Sequence, residues 1–373
     1  MRTVERPGTS NAIQQQKGSQ ARGSTANGFS LTGSQFAPRA RMACAVAVLV
    51  VLTVLAAGFS LAVGSRSIPL SEVVLALFSP DQDAFAAKVV QARVPRTLFA
   101  LLAGAAQGVS GLLMQRVTRN PIADPSILGV NAGASLFVVS AMAFLGITTS
   151  SQYIWCAIAG AALTAALVYG VGSSGRGGAS PLKLALAGTA VSTAFSSLVS
   201  IIVMPRENVM STFRFWQVGS VSGASWADVQ TFMPFLLVGL AAALVVAPAL
   251  EVLALGDDAA VGLGAKPGLV RLISSAAAVV LCGATTAVAG PIAFVGLMVP
   301  HLVCLLYKGG LRTQMLLTAL LGAFVFTAAD VIGRVVVSPG ELEVGIVTAF
   351  VGAPVFIAVA VRTAGGMRAG EVA

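Results

Sequence analysis

Charge is scarce in this sequence. Only 10% of its 373 residues are Asp, Glu, Lys or Arg, against about 25% in soluble domains, too few to wet a globular surface. There is a single histidine, and the four cysteines (Cys44, Cys156, Cys282, Cys304) sit inside apolar runs. They lack metal-ligand spacing and any disulfide-rich context, so they read as small packing residues, and no metal site is assigned. No G-x-x-x-x-G-K-[ST] phosphate loop occurs, so the chain is not expected to hydrolyse ATP. No catalytic triad is visible, and no catalytic residue is assigned.

What fills the sequence is apolar. It is 56% hydrophobic with 40 glycines, and its mean hydropathy is +0.89. That composition reads as an all-α polytopic membrane protein whose small residues allow close helix approach in lipid. The net charge of +9 does not imply a nucleic-acid partner, because Lys and Arg are spread over tails and short loops as a membrane topology requires. Residues 1–41 are rich in Gly, Ser, Gln and Asn without apolar period, and read as a disordered tail. The run after it is long enough to span a bilayer, so an uncleaved first helix is expected rather than a cleaved signal peptide.

A span needs about 17–25 apolar residues. Ten candidates follow: 42–63, 97–115, 127–146, 153–171, 184–204, 231–250, 272–289, 291–307, 314–333 and 343–361. The stretch 273–306 is too long for one span, and Gly290-Pro291 supplies the break. With the amino terminus inside, the inner loops hold Arg116, Arg119, Arg176, Lys183, Lys266, Arg271, Lys308, Arg312, Arg362 and Arg368. Arg66, Lys88, Arg93, Arg96, Arg206, Arg214 and Arg334 are left outside. Inside wins once the basic tail is added, which puts both termini, including the tail 366–373, in the cytosol.

Three connecting segments stand out. Residues 64–96 contain an amphipathic "LSEVVLALF", and 205–230 carry two Trp that suit an interface. Residues 251–268, "EVLALGDDAAVGLGAKPG", have the pattern of two short helices at a bend. The stretch "LAGAAQGVSGLLMQ" (102–115) echoes "VAGPIAFVGLMVPH" (288–301), a short match that slips register by one; internal repeats occur in transporters.

Four stretches carry a resemblance to a known family. "RVPRTLFALLAGAAQGVSGLLMQRVTRNPIADPSILGVNAGASL" (93–136), "LALGDDAAVGLGA" (253–265), "GPIAFVGLMVPHL" (290–302) and "PGELEVGIVTAFVGAPVFI" (339–357) resemble, in order, motifs of the FecCD permeases. These are subunits of ABC importers for iron–siderophore complexes, haem and cobalamin, and the resemblance covers about 42–365. It implies a type II ABC importer permease-like fold of ten transmembrane helices in the cytoplasmic (inner) membrane. Its partners would be an identical or paralogous permease, two ATPase subunits that bind ATP and Mg, and an extracytoplasmic substrate-binding protein. No cofactor is expected on this chain.

By the same resemblance, Arg93, Arg96 and Arg334 dock acidic residues of the binding protein. Guanidinium pairs bidentately with carboxylate, although headgroup snorkelling would also place arginines there. Ala254, Leu255, Gly256, Asp257, Asp258, Ala259, Ala260, Leu263 and Gly264 resemble the cytoplasmic coupling helices that fit an ATPase groove. Gly256 would allow the bend, and Asp257 and Asp258 would cap the second short helix; an amphipathic loop resting on lipid is the alternative. Thr189, Ser192, Ser196 and Ser197 lie on the helix that lines the family's pathway, but could equally be packing hydroxyls.

The stretch "RNPIADPSILG" raises its own question. Pro121 and Pro125 interrupt a helix, and Asn120 and Asp124 can take up freed backbone groups. With Gly129 they read as a helix break at membrane depth, tolerated only where it is buried in protein or lines a cavity. Whether it is a rigid turn or a direct functional contact stays open. His301 reads as a structural hydrogen-bonder, and Asp330 is spaced to pair with Arg334 one turn on.

The function expected is inward transport of ferric siderophores powered by partner ATPases, with haem or cobalamin as alternatives. An ion-coupled secondary transporter would keep ionisable residues inside its spans, and these spans are nearly free of them. A scaffold or receptor without transport would have little need of the 253–265 motif.

Overall fold

The computed structural model describes residues 36–64, 67–78, 85–174, 181–338 and 340–370. Most of the expected tail, with Arg66, Arg176, Pro339 and 371–373, lies outside the described residues. The chain divides into two compact units, Met1–Ala43 and Cys44–Ala373. Of the first, only the opening turns of a helix are described, and the second carries every other element.

Among the described residues every regular element is helical. The ten expected spans fall on α1 (Phe36–Ala62), α3 (Phe85–Thr118), α4 (Val130–Leu145), α5 (Ser150–Ser173), α6 (Pro181–Val203), α8 (Trp226–Leu253), α10 (Pro267–Ala289), α11 (Val295–Leu306), α12 (Leu311–Val336) and α13 (Val344–Gly370). Between them lie three short helices, α2 (Leu70–Phe78), α7 (Glu207–Val218) and α9 (Asp257–Gly262), and a 3-10 turn at Pro125–Leu128. Among the described residues, seven helices are long and apolar enough to cross a membrane. Val130–Leu145, Val295–Leu306 and Val344–Ala358 are shorter apolar helices, so a count of ten crossings needs these three as well.

Several boundaries differ from expectation for identifiable reasons. Helix α3 begins at Phe85 and runs through Pro95, so Arg93 and Arg96 lie within it rather than ahead of it. Its early part holds a buried face, Ala87 and Val90, against Ala62, Ile68, Val73 and Ala76. Helix α8 begins at Trp226 rather than near 231, because Ser225 and Asp228 form a reciprocal capping box; each satisfies a backbone donor that has no intrahelical partner. The segment 251–268 holds one short helix, not two, since its first residues complete α8. Trp216 is partly buried, and its indole N–H donates to the Ala287 carbonyl at 3.2 Å. The break at Gly290 is present, with that residue at φ 77° between α10 and α11.

Helix α3 is the central strut: 78% of its most apolar window is buried. It packs on α12, α10, α11, α8 and α2, and two of its glycines make those approaches possible. A Cβ on Gly104 would lie 2.3 Å from the Gly322 carbonyl oxygen, and one on Gly111 would lie 1.7 Å from that of Gly296. Backbones in such contact leave no room for any side chain. Gly111 and Gly296 also begin the "GLLM" and "GLM" of the echoed stretches, so the repeat's matching glycines meet face to face.

Candidate functional site

In the first turns of α3 the three candidate docking arginines meet. Asp330 on α12 is 2% exposed, and its Oδ1 accepts from Arg96 Nη2 at 2.7 Å and Nε at 3.2 Å. Arg96 Nη1 also donates to Glu341 at 2.9 Å. Arg334 Nη2 lies 2.8 Å from Asp330 Oδ2, close enough to pair but off the line a hydrogen bond needs. The expected Asp330–Arg334 pair is therefore present. Its context was not foreseen: Arg334 is 2% exposed, and it donates to the Ser60 carbonyl at 2.9 Å, the Val63 carbonyl at 3.1 Å and the Ser60 hydroxyl. Arg93 donates to the Leu61 and Ala62 carbonyls at 2.9 and 3.2 Å. Two guanidiniums thus close the carboxyl end of α1, where helix carbonyls lack partners and the helix dipole favours a cation. These arginines point inward to α1 and α12, and Arg334 offers no outward surface.

At the other end of α3 the helix breaks. Arg119 takes φ 50°, a left-handed conformation uncommon outside glycine. Asn120 Oδ1 accepts from Ile122 N at 3.1 Å, and Asp124 Oδ1 accepts from Ser126 N at 2.9 Å, opening the 3-10 turn that starts at Pro125. Pro121 follows Asn120 in the turn. Gly129 closes the 3-10 turn at φ 70°, where a Cβ would come 2.8 Å from Thr164 Cγ2 and 3.3 Å from Ser192 Oγ. The break therefore abuts the hydroxyl-bearing helix α6. Asp124→Ala is expected to cost about 1 kcal/mol by losing the cap, read as a lower thermal midpoint of the purified protein, with Asp124→Asn close to the parent.

The segment 253–265 lies beside this break. Gly256, at φ 117°, makes the turn and is the N-cap of α9, which has no side-chain cap. The cap expected from Asp257 and Asp258 is thus replaced by glycine geometry. Asp257 instead receives Arg119 Nη2 on Oδ1 at 2.7 Å and Arg271 Nη2 at 2.8 and 2.9 Å on its two oxygens. The Arg271 hydrogen bond is the main cause of its lowered pKa; partial burial opposes it, and the Arg271 charge and Arg119 reinforce it. A depressed carboxylate stays paired at neutral pH and loses its partners only as pH falls below the ordinary value of 3.8. The root of the segment is anchored separately, Glu251 accepting from the Leu311 N–H at the start of α12. Ala260 is buried beneath α9, whereas Leu255, Val261 and Leu263 are 70%, 60% and 67% exposed, and Ala254, Ala259 and Gly264 are exposed among them.

Helix α6 turns a polar face away from its own chain. Thr189, Ser196 and Ser197 are exposed, while Ser192 is half-buried. Thr189 donates to the Leu186 carbonyl and Ser197 to that of Thr193, so the face is polar without needing an outside partner. Of the four candidate pathway residues Ser196 lines a cavity of about 320 Å3 between α4, α6 and α7. Ser135, Ser200, Arg214 and Gln217 line it too; Ser200 belongs to the same hydroxyl-bearing helix, whereas Ser135, Arg214 and Gln217 were not among the expected pathway residues. Arg214 did carry a signal, as an arginine on the outer side against the charge bias. The His301 side chain makes no hydrogen bond among the described residues, so the bonding role expected for it is not seen. No group of three or more metal-ligating side chains is found among the described residues.

Residues 49–362 match the FecCD transport family. The chain is 42% identical to the ferric enterobactin transport system permease protein FepD of Escherichia coli (strain K12), over 84% of this chain and 94% of that protein. It is 41% identical to the Fe(3+)-citrate import system permease protein YfmD of Bacillus subtilis (strain 168), over 83% and 92%. A solved inward-facing metal-chelate type ABC transporter superposes with a TM-score of 0.73 at 28% identity, covering 86% of this chain and 99% of the other.

Proposed function

The chain belongs to the FecCD transport family, and on that premise we propose that it is the permease subunit through which an ABC importer moves ferric siderophores into the cell. Relatives named for ferric enterobactin and Fe(3+)-citrate support a ferric chelate as cargo. The chain sits in the cytoplasmic membrane with both termini in the cytosol. It pairs with an identical or paralogous permease, and a binding protein outside delivers the cargo. Two ATPase subunits bind ATP and Mg, and their closure drives the cycle.

One observation carries the mechanical part of this reading: Leu255, Val261 and Leu263 stand exposed on a hairpin that is bonded back to the rest of the protein through Asp257. Exposed apolar side chains on a water-facing segment mark a partner's groove, and here the partner is the ATPase. At the opposite end, Arg93, Arg96 and Arg334 fix the carboxyl end of α1 and the start of α13 from within. The docking face is shaped by that scaffold. Inside, the Ser196, Ser200 and Arg214 cavity supplies weakly polar walls and one cation suited to the oxygen-rich, anionic surface of a ferric chelate.

The test is uptake of radiolabelled ferric enterobactin and ferric citrate by proteoliposomes holding the permease, its ATPase and its binding protein. Accumulation that requires ATP inside and binding protein outside is the expected result. Accumulation that persists with a hydrolysis-dead ATPase would instead favour ion-coupled transport.

A further inference from the structure

Three separate contacts join into one route through the protein. Asp257, at the start of α9, takes Arg119 and Arg271 on the same carboxylate. Arg119 also donates to the Leu253 carbonyl at 2.6 Å, so its guanidinium grips both sides of the bend at Gly256. Arg119 itself is the residue at which α3 gives way to the broken segment, and it holds a positive φ to do so. That segment ends at Gly129, whose missing Cβ lets Ser192 of α6 and Thr164 of α5 close on the backbone.

We propose that Asp257 is a positioning residue that transmits movement of the ATPase-gripped hairpin to the broken segment 119–129, and through Gly129 to the pathway face of α6. The inference rests on the importer reading, and adds to it which residues carry the stroke. The fork is only half buried, and half-exposed ion pairs contribute little to stability, so holding the fold together does not account for it. What the fork does provide is direction. One carboxylate with partners on both the break and α10 makes the hairpin, Arg271 and Arg119, just past the end of α3, move together. Helix α3 is locked against α12 by backbone contact, so the stroke is taken up where the chain is already interrupted, at Asn120 to Gly129. A continuous helix there would resist it, which gives the break a mechanical purpose beyond making a turn. Coupling of this kind requires an element with two arrangements that both sites bias, and the broken segment is that element.

The experiment uses the reconstituted complex and two readings. The first is ferric chelate taken up per ATP hydrolysed. Asp257→Asn and Arg119→Gln are each expected to lower this ratio about tenfold, while ATP hydrolysis and the thermal midpoint stay near the parent's. The double variant should be no worse than the worse single one, and Asp257→Glu should restore much of the loss. Glu72→Gln, on the exposed face of α2 and with no side-chain partner among the described residues, should leave the ratio unchanged. The second reading needs no cargo: a spin label at Ser126→Cys, in a background without the native cysteines, reports displacement of the break when ATP is added. That displacement should vanish in Asp257→Asn. An unchanged ratio in both single variants, an equal fall in Glu72→Gln, or an ATP-driven shift at 126 that survives Asp257→Asn would each overturn the proposal. A parent complex whose label moves with ATP but which accumulates no ferric chelate would sink the cargo assignment and leave the joint standing.

Discussion

Asp330→Asn is expected to cost about 3–5 kcal/mol, the penalty for leaving a buried charge without its partner, and to leave little folded protein in the membrane. Asp330 faces two guanidiniums, Arg96 and Arg334, and Arg334 is sealed from solvent. An amide of the same shape cancels the negative charge and turns an N–H2 toward one of them. Arg334 cannot swing outward in relief, because it also satisfies the carbonyls at the end of α1. The loss therefore spreads from α12 to the α1–α3 contact. A second substitution, Arg334→Met, should recover part of the damage by removing the stranded cation, though not the α1 carbonyl contacts. Thermal melts of the detergent-purified single and double variants measure this: the two changes should be coupled by about 1–3 kcal/mol. Additive effects would mean that the two residues do not act as a pair.

Gly111→Val is the second change expected to be severe. The Cβ alone would sit 1.7 Å from the Gly296 oxygen, so α11 must move bodily for the variant to exist. Core overpacking costs about 1–3 kcal/mol when side chains can yield, and more when they cannot; here the obstacle is backbone. Even Gly111→Ala should sharply lower the yield of monodisperse protein. Gly58→Ala is the control, because nothing lies within 4 Å of a Cβ there, and loss of a helical glycine stabilises by about 0.5–1 kcal/mol. Size-exclusion profiles of fluorescent fusions separate the two outcomes. A Gly111→Ala protein as well behaved as Gly58→Ala would contradict the contact between α3 and α11.

The sequence made some of this plain and hid the rest for physical reasons. Apolar runs and Gly290-Pro291 located the long helices, because a lipid-facing helix must be apolar along its length. Asn120 and Asp124 were legible as acceptors, since their work is local, and so was the pairing of Asp330 with Arg334 one turn away. The true start of α3 was masked by Lys88, Arg93 and Arg96, which lower hydropathy where burial against α2 in fact continues the helix. Long-range partners left no trace: nothing near Arg334 in the sequence announces the Ser60 and Val63 carbonyls. Asp257 was misread as a cap because a carboxylate at a helix start usually is one, and its partners lie outside its own helix, Arg271 on α10 and Arg119 far back along the chain. The echoed "GLLM" and "GLM" stretches do meet at Gly111 and Gly296, but their likeness did not announce that contact.

The most direct test is cross-linking from the hairpin tip. In a cysteine-free background, Leu263→Cys should form a disulfide with a cysteine scanned along the ATPase groove, at a yield that changes when ATP is bound. It should also resist membrane-impermeant thiol reagents applied to intact cells. Labelling from outside, or a purified complex that never joins this residue to an ATPase, would contradict the hairpin's place at the motor.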